Sequence, residues 1–211
     1  MHLLLPTLAL ATSATALPTC SNCHTGPPLS SSTGFHLLAR LANPSHDLVP
    51  SVQNWQLNAV HTGAGLNAAV FTASGGRLFY QNGTATQETT ILTDGGTPPF
   101  PFSLQVQKPG EARRIADVSV GLGTAARVDW EGVLRNGVAE GGRFLACSAV
   151  VPYYNVTYVT LQYEYGKLQG EGTAAEGCVA VELVAQCAVL NELPEGSLSS
   201  HEFAARVRCV A

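Results

Sequence analysis

Beyond residue 34 the chain breaks into apolar segments no longer than a β-strand, and within several of them apolar and polar residues alternate one by one. Trp55, Leu57 and Ala59 oppose Gln56 and Asn58; Phe100, Phe102, Leu104 and Val106 oppose Pro101, Ser103, Gln105 and Gln107. Val159, Leu161, Tyr163 and Tyr165 oppose Thr160, Gln162 and Glu164. A period of two puts one face of an extended chain against a core and the other toward water. Asn-Pro, His-Thr-Gly, Ser-Gly-Gly, Asp-Gly-Gly and Pro-Gly stretches punctuate the segments, as turns between strands do. The pattern predicts an all-β chain, an antiparallel β-sandwich or a partly closed barrel. Helical signals are confined to "GLNAAVF" and to "SSHEFAARV", which reads as a last strand although Ser200 is a possible helix cap. With 211 residues, 45% of them hydrophobic, the chain suffices for one substantial core, and residues 35–211 read as one β-rich domain.

Six cysteines divide into Cys20 and Cys23 near the start and Cys147, Cys178, Cys187 and Cys209 in the body. "CVAVELVAQC" reads as a single strand, which separates Cys178 from Cys187 by about 30 Å and forbids a bond between them. Cys187 shares strand parity with Val179, Val181 and Leu183, and Cys209 with Phe203, Ala205 and Val207. Both sulfurs then face the core, which selects Cys187–Cys209 and leaves Cys147–Cys178 as the second bond. Cys20 and Cys23 are then expected to pair with each other across a short loop or to stay mobile.

"MHLLLPTLALATSATALP" has the apolar run and the small-x-small Ala14-Thr15-Ala16 of a secretory signal peptide, residues 1–16. The run is too short for a transmembrane anchor. Residues 17–34, rich in Pro, Ser, Thr and Gly, read as a flexible leader. Asn82-Gly83-Thr84 and Asn155-Val156-Thr157 are acceptor sequons for N-glycosylation, whereas proline excludes Asn43-Pro44-Ser45. These features predict a secreted, extracellular protein with disulfides. A net charge of −4 argues against a nucleic-acid partner, which needs a basic footprint.

The leader contains "CSNCH", in which Cys20, Cys23 and His24 match the attachment pattern of c-type haem. The one methionine is Met1, and a Pro/Ser/Gly leader offers no apolar wall for a porphyrin. A thioredoxin-like role requires a helix after the second cysteine, and Gly26-Pro27-Pro28 follows instead. No zinc spacing is present either. The expectation is therefore no cofactor and no metal.

Three other stretches merit consideration. "HTGAGLN" lacks the third glycine of a dinucleotide loop and reads as a tight turn in which Gly63 or Gly65 supplies a positive φ. Its His61 continues the parity of Trp55, Leu57 and Ala59 and is expected to be buried; with Asn67 it is a candidate ligand contact. "DWEG" offers Asp129 and Glu131 about 7 Å apart on one strand face, a spacing compatible with two-carboxylate glycoside hydrolysis. "PYYNVTYVTLQYEY" supplies Tyr153, Tyr154 and Tyr158 as an exposed platform for a sugar or a protein, or alternatively as the edge of a core filled by Tyr163 and Tyr165.

"NWQLNAVHTGAGLNAAVF", "RLFYQNGT", "PPFPFSLQV" and "GCVAVELVAQC" together resemble a family of small secreted fungal proteins, domain of unknown function 7907, over about Phe35 to Cys187. The resemblance implies a fungal, extracellular, β-rich protein and no particular reaction. The leading expectation is a non-enzymatic extracellular or cell-wall-associated protein that binds a glycan or another extracellular protein. A secreted carbohydrate-active hydrolase using Asp129 or Glu131, and a structural wall or spore-surface protein, are the alternatives.

Overall fold

The computed structural model describes residues 28–83, 89–106, 115–121, 123–137, 141–166 and 174–211. The described residues form fifteen strands and no helix. Strands β1 (Leu29–Ser32), β2 (Gly34–Leu41), β3 (Gln56–Gly63) and β4 (Leu66–Thr72) come first. A meander follows, of β5 (Phe79–Asn82), β6 (Thr90–Gly95), β7 (Phe100–Gln105) and β8 (Asp117–Ser119). Strands β9 (Ala126–Val128) and β10 (Leu134–Asn136) form a separate hairpin. The chain ends with β11 (Gly142–Val151), β12 (Val156–Tyr165), β13 (Cys178–Ala188), β14 (Ala204–Ala205) and β15 (Val207–Val210).

Nine of these close a ring. From β2 it runs through β5, β6, β7, β8, β4, β12, β11 and β13 back to β2, every neighbour antiparallel. The sheet anticipated as a sandwich or partly closed barrel is thus a closed barrel with extra strands, and closure leaves no free edge within the ring. Outside it, β3 lies on β4, β1 pairs with β15, and β14 pairs with β5.

Alternation explains the interior. Phe35, Leu37 and Ala39 of β2, Phe102 and Leu104 of β7, Leu161 and Tyr163 of β12, and Val181, Leu183 and Ala185 of β13 join one buried cluster. Each large apolar side chain so buried contributes about 1.5–3 kcal/mol. The alternation breaks where the outer face is also covered. Asn67 to Phe71 of β4 are all buried, and so are Thr160 and Gln162, which the pattern had placed toward water. The segment before β8 enters the sheet between β4 and β12: Ala116 N donates to Leu161 O, Ala69 N donates to Ala116 O, and Ile115 bridges Gln162. The outer face there is buried by a satellite cluster of Ala68, Val70 and Val151 with Val60, Ile115 and Tyr158. Thr160 satisfies its buried hydroxyl on Cys147 O and receives a hydrogen bond from Gln162 Nε2.

Two disulfides lock the ends of β13. Cys147 and Cys178 stand directly opposite each other in the β11–β13 ladder and are bonded. Cys187 is bonded to Cys209 of β15, where β13 and β15 make a parallel contact. These are the two pairs that the spacing and parity of the strands select. Cys20 and Cys23 lie outside the described residues.

Two boundaries differ from the sequence reading. Residues 29–32, assigned to the flexible leader, form β1 because their backbone pairs with Val207–Val210, and Gly34 already belongs to β2. The last strand is also shorter than "SSHEFAARV" suggested. A turn at His201–Ala204 precedes it, so Phe203 leaves the core parity and is exposed.

Candidate functional site

At one end of the barrel two hairpin tips approach each other. The β11–β12 ladder runs without a break from Gly142↔Tyr165 to Val151↔Val156 and projects the turn Pro152–Asn155. Tyr154 N and Asn155 N both donate to Val151 O and close that turn. The β3–β4 hairpin meets it with a bulge between His61 and Gly63. Gly65 makes the β3–β4 turn possible: its φ is +71°, and a Cβ there would stand 2.7 Å from Val120 Cγ2.

Between the tips lies an open groove of about 510 Å³. Ala68, Ile115 and Val151 form its apolar floor, while Thr62, Asp117, Pro152 and Tyr153 form its walls. Tyr153, one of the lining residues, is 59% exposed. Its ring is edge-on to His61 at 6.0 Å and to Tyr154 at 4.9 Å. Leu66, Val120, Val150 and Val156 are exposed near the tips. A mostly apolar concavity with a few polar groups at its wall is the usual build of a small-ligand site.

The structure distributes the sequence candidates unevenly. His61 is brought to Tyr153 but is exposed, not buried, because β3 lies outside the closed ring and His61 sits near its tip, past Leu57 and Ala59, side chains of that parity that reach the core. Asn67 is buried and committed: Nδ2 donates to Val118 O at 2.7 Å and its backbone N donates to Ser119 Oγ at 2.9 Å, stitching β4 to β8. Tyr158 packs against the satellite cluster, and Tyr163 and Tyr165 belong to the main core, so only Tyr153 and Tyr154 present exposed rings. Thr62, Ile115 and Asp117 were missed. Thr62 lies within "HTGAGLN" but was not singled out there, and Ile115 and Asp117 come from a distant segment that only the pairing of β4 with β8 brings beside it.

Asp129 and Glu131 sit in the turn between β9 and β10, not on a strand face. Asp129 Oδ1 accepts from the backbone N of Glu131 and Val133, and Oδ2 accepts from Arg135 Nε at 2.7 Å. Arg135 also reaches Glu131 at 3.2 Å. Partial burial opposes the charge on Asp129, but the Val133 hydrogen bond, the Arg135 hydrogen bond and the Arg135 charge outweigh it and hold the carboxyl below its ordinary value. An acid catalyst needs the opposite shift. The pair works as a turn clasp and presents Trp130 at 77% exposure.

A second polar cluster fastens the 197–203 segment to the barrel. His201 Nε2 lies 2.8 Å from Asp94 Oδ2, and the His201 ring packs edge-on to Tyr80 at 4.7 Å. Burial, then the adjoining Asp94 charge, pushes the Tyr80 phenol above its ordinary range. A larger concavity of about 780 Å³ lies between the loop after β2 and the start of β13. It presents no Phe, Tyr or Trp ring, and Arg143 at its wall is ion-paired with Glu164 at 2.7 Å. Among the described residues no group of three or more His, Cys, Asp or Glu is placed to hold a metal ion. No described helix is long and apolar enough to cross a membrane.

Fold and groove together define a disulfide-stapled β-barrel with one open, aromatic-rimmed end. The chain belongs to the family described as domain of unknown function 7907, whose model matches residues 32–187. It is 37% identical over 201 residues to the antigenic protein SchS34 of Stachybotrys chartarum, an alignment covering 87% of this chain and 88% of that protein. No solved structure matches it.

Proposed function

We propose that the protein is a secreted, non-enzymatic binding protein that takes a neutral glycan in the groove beneath Tyr153. The carrying observation is the groove itself, which combines an exposed tyrosine ring, an apolar floor and the hydrogen-bonding side chains of Thr62 and Asp117. A sugar ring has an apolar C–H face and a periphery of hydroxyls. Tyrosine accepts the first and a carboxylate with a hydroxyl accepts the second. The volume is within the range of small-ligand sites. Export is supported by the signal-like N-terminus, by the two disulfides, which persist in oxidising compartments, and by a relative named as an antigenic protein. A binding role without catalysis is supported by the commitment of Asp129 to its own turn.

The test is an array of neutral oligosaccharides probed with the wild-type chain and with Tyr153→Ala. Wild-type binding that falls at least tenfold in the variant, with unchanged folding, is expected. Equal binding by both proteins, or no binding by the wild type, refutes the assignment.

A further inference from the structure

We propose that Asn155 is a site of N-linked glycosylation and that Asn82, the other sequon asparagine, is left unmodified. The two sequons are alike in sequence and differ in the fold. Asn155 ends the β11–β12 turn with φ +53°, a left-handed conformation that asparagine tolerates better than most residues. Asn155, Val156 and Thr157 are all exposed, so acceptor amide and sequon hydroxyl lie together on the surface. Tyr154, which does not line the groove, precedes them with an exposed ring that gives the apolar face of a first sugar a surface to rest on.

Asn82 is held between strands. It pairs with Thr90 of β6 on one side and Ala204 of β14 on the other, and Gly83 N donates to Phe203 O beside it. By strand alternation it shares the face of Tyr80, which is buried against the His201 ring. An oligosaccharide on Asn82 therefore competes with docking of the segment that β14 and His201 anchor, whereas one on Asn155 displaces no paired strand.

The modification is a group transfer from a lipid-diphosphate-linked oligosaccharide in the secretory pathway. The Asn155 Nδ2 forms a bond to the anomeric carbon of the donor. The bond from that carbon to the diphosphate oxygen breaks, its electron pair leaving with the lipid diphosphate, and Nδ2 gives up one proton. Thr157 is the residue that the transferring enzyme requires two positions on.

The full chain is to be secreted from a eukaryotic host and its glycopeptides mapped by mass spectrometry before and after endoglycosidase treatment, with Asn155→Gln, Thr157→Ala and Asn82→Gln alongside. One glycan is expected on the wild type and on Asn82→Gln, and none on Asn155→Gln or Thr157→Ala. Thr157→Ala keeps the asparagine, so its loss of the glycan separates acceptor chemistry from misfolding. A glycan on Asn82, on both asparagines or on neither overturns the proposal. The readout involves no ligand and is independent of what the groove binds.

Discussion

Replacing both members of Cys147–Cys178 by alanine gives the sharpest quantitative expectation. The two residues face each other in the β11–β13 ladder, so strand pairing alone still brings their α-carbons together, and the folded state changes little. The loss falls on the unfolded chain, where the bond ties residues 31 apart and encloses all of β12. Loop-closure entropy for that length corresponds to about 3.7 kcal/mol at 25 °C. That is a large share of the roughly 5–15 kcal/mol that keeps a typical domain folded. For a urea slope of about 2.5 kcal/mol per molar, the midpoint drops by about 1.5 M. Urea denaturation followed by tryptophan fluorescence under non-reducing conditions reads this directly. A midpoint within about 0.3 M of wild type refutes the reasoning, because it implies that the unbridged unfolded chain is no freer than the bridged one.

Gly65→Ala forces a left-handed residue to carry a Cβ 2.7 Å from Val120 Cγ2; a loss of about 2 kcal/mol is expected by thermal melting, partly recovered by adding Val120→Ala. Asp129 has a folded-state pKa below its unfolded value, so the stability it contributes is present above the ordinary carboxylate range and is lost as pH falls through the lower, folded value. Asp129→Asn is accordingly less stable than wild type at pH 7, and the gap narrows below about pH 4 in parallel denaturation curves. His201→Ala strips Asp94 of its 2.8 Å partner under partial burial; a destabilisation of about 1–3 kcal/mol is expected, with faster proteolysis of the 197–203 segment.

What was legible in the sequence is what strand parity controls. Val159, Leu161, Tyr163 and Tyr165 all face the main core because a barrel has one inside, and period-two alternation marks that side. The same parity placed the sulfurs of Cys187 and Cys209 where a bond forms. Parity fails where a distant segment covers the outer face. Nothing near Thr160 or Gln162 announces that Ile115 pairs beside Gln162 and packs with the satellite cluster on that face. It fails again at His61, which keeps its register with Asn67 but lies near the tip of a strand outside the ring, beyond the core. Alternation also cannot say which strands pair, so closure of the ring was open until β2 met β13. The groove was invisible for the same reason: Thr62, Asp117 and Tyr153 share no motif, only the barrel end to which the topology brings them.

The most direct test is a nitrogen-15 chemical-shift titration of the folded chain with neutral glucose and N-acetylglucosamine oligosaccharides. Saturable shifts confined to Thr62, Asp117, Tyr153 and their neighbours, absent in Tyr153→Ala, are predicted. Saturable shifts centred on His46 and Arg143 at the larger concavity, or none at millimolar sugar, contradict it.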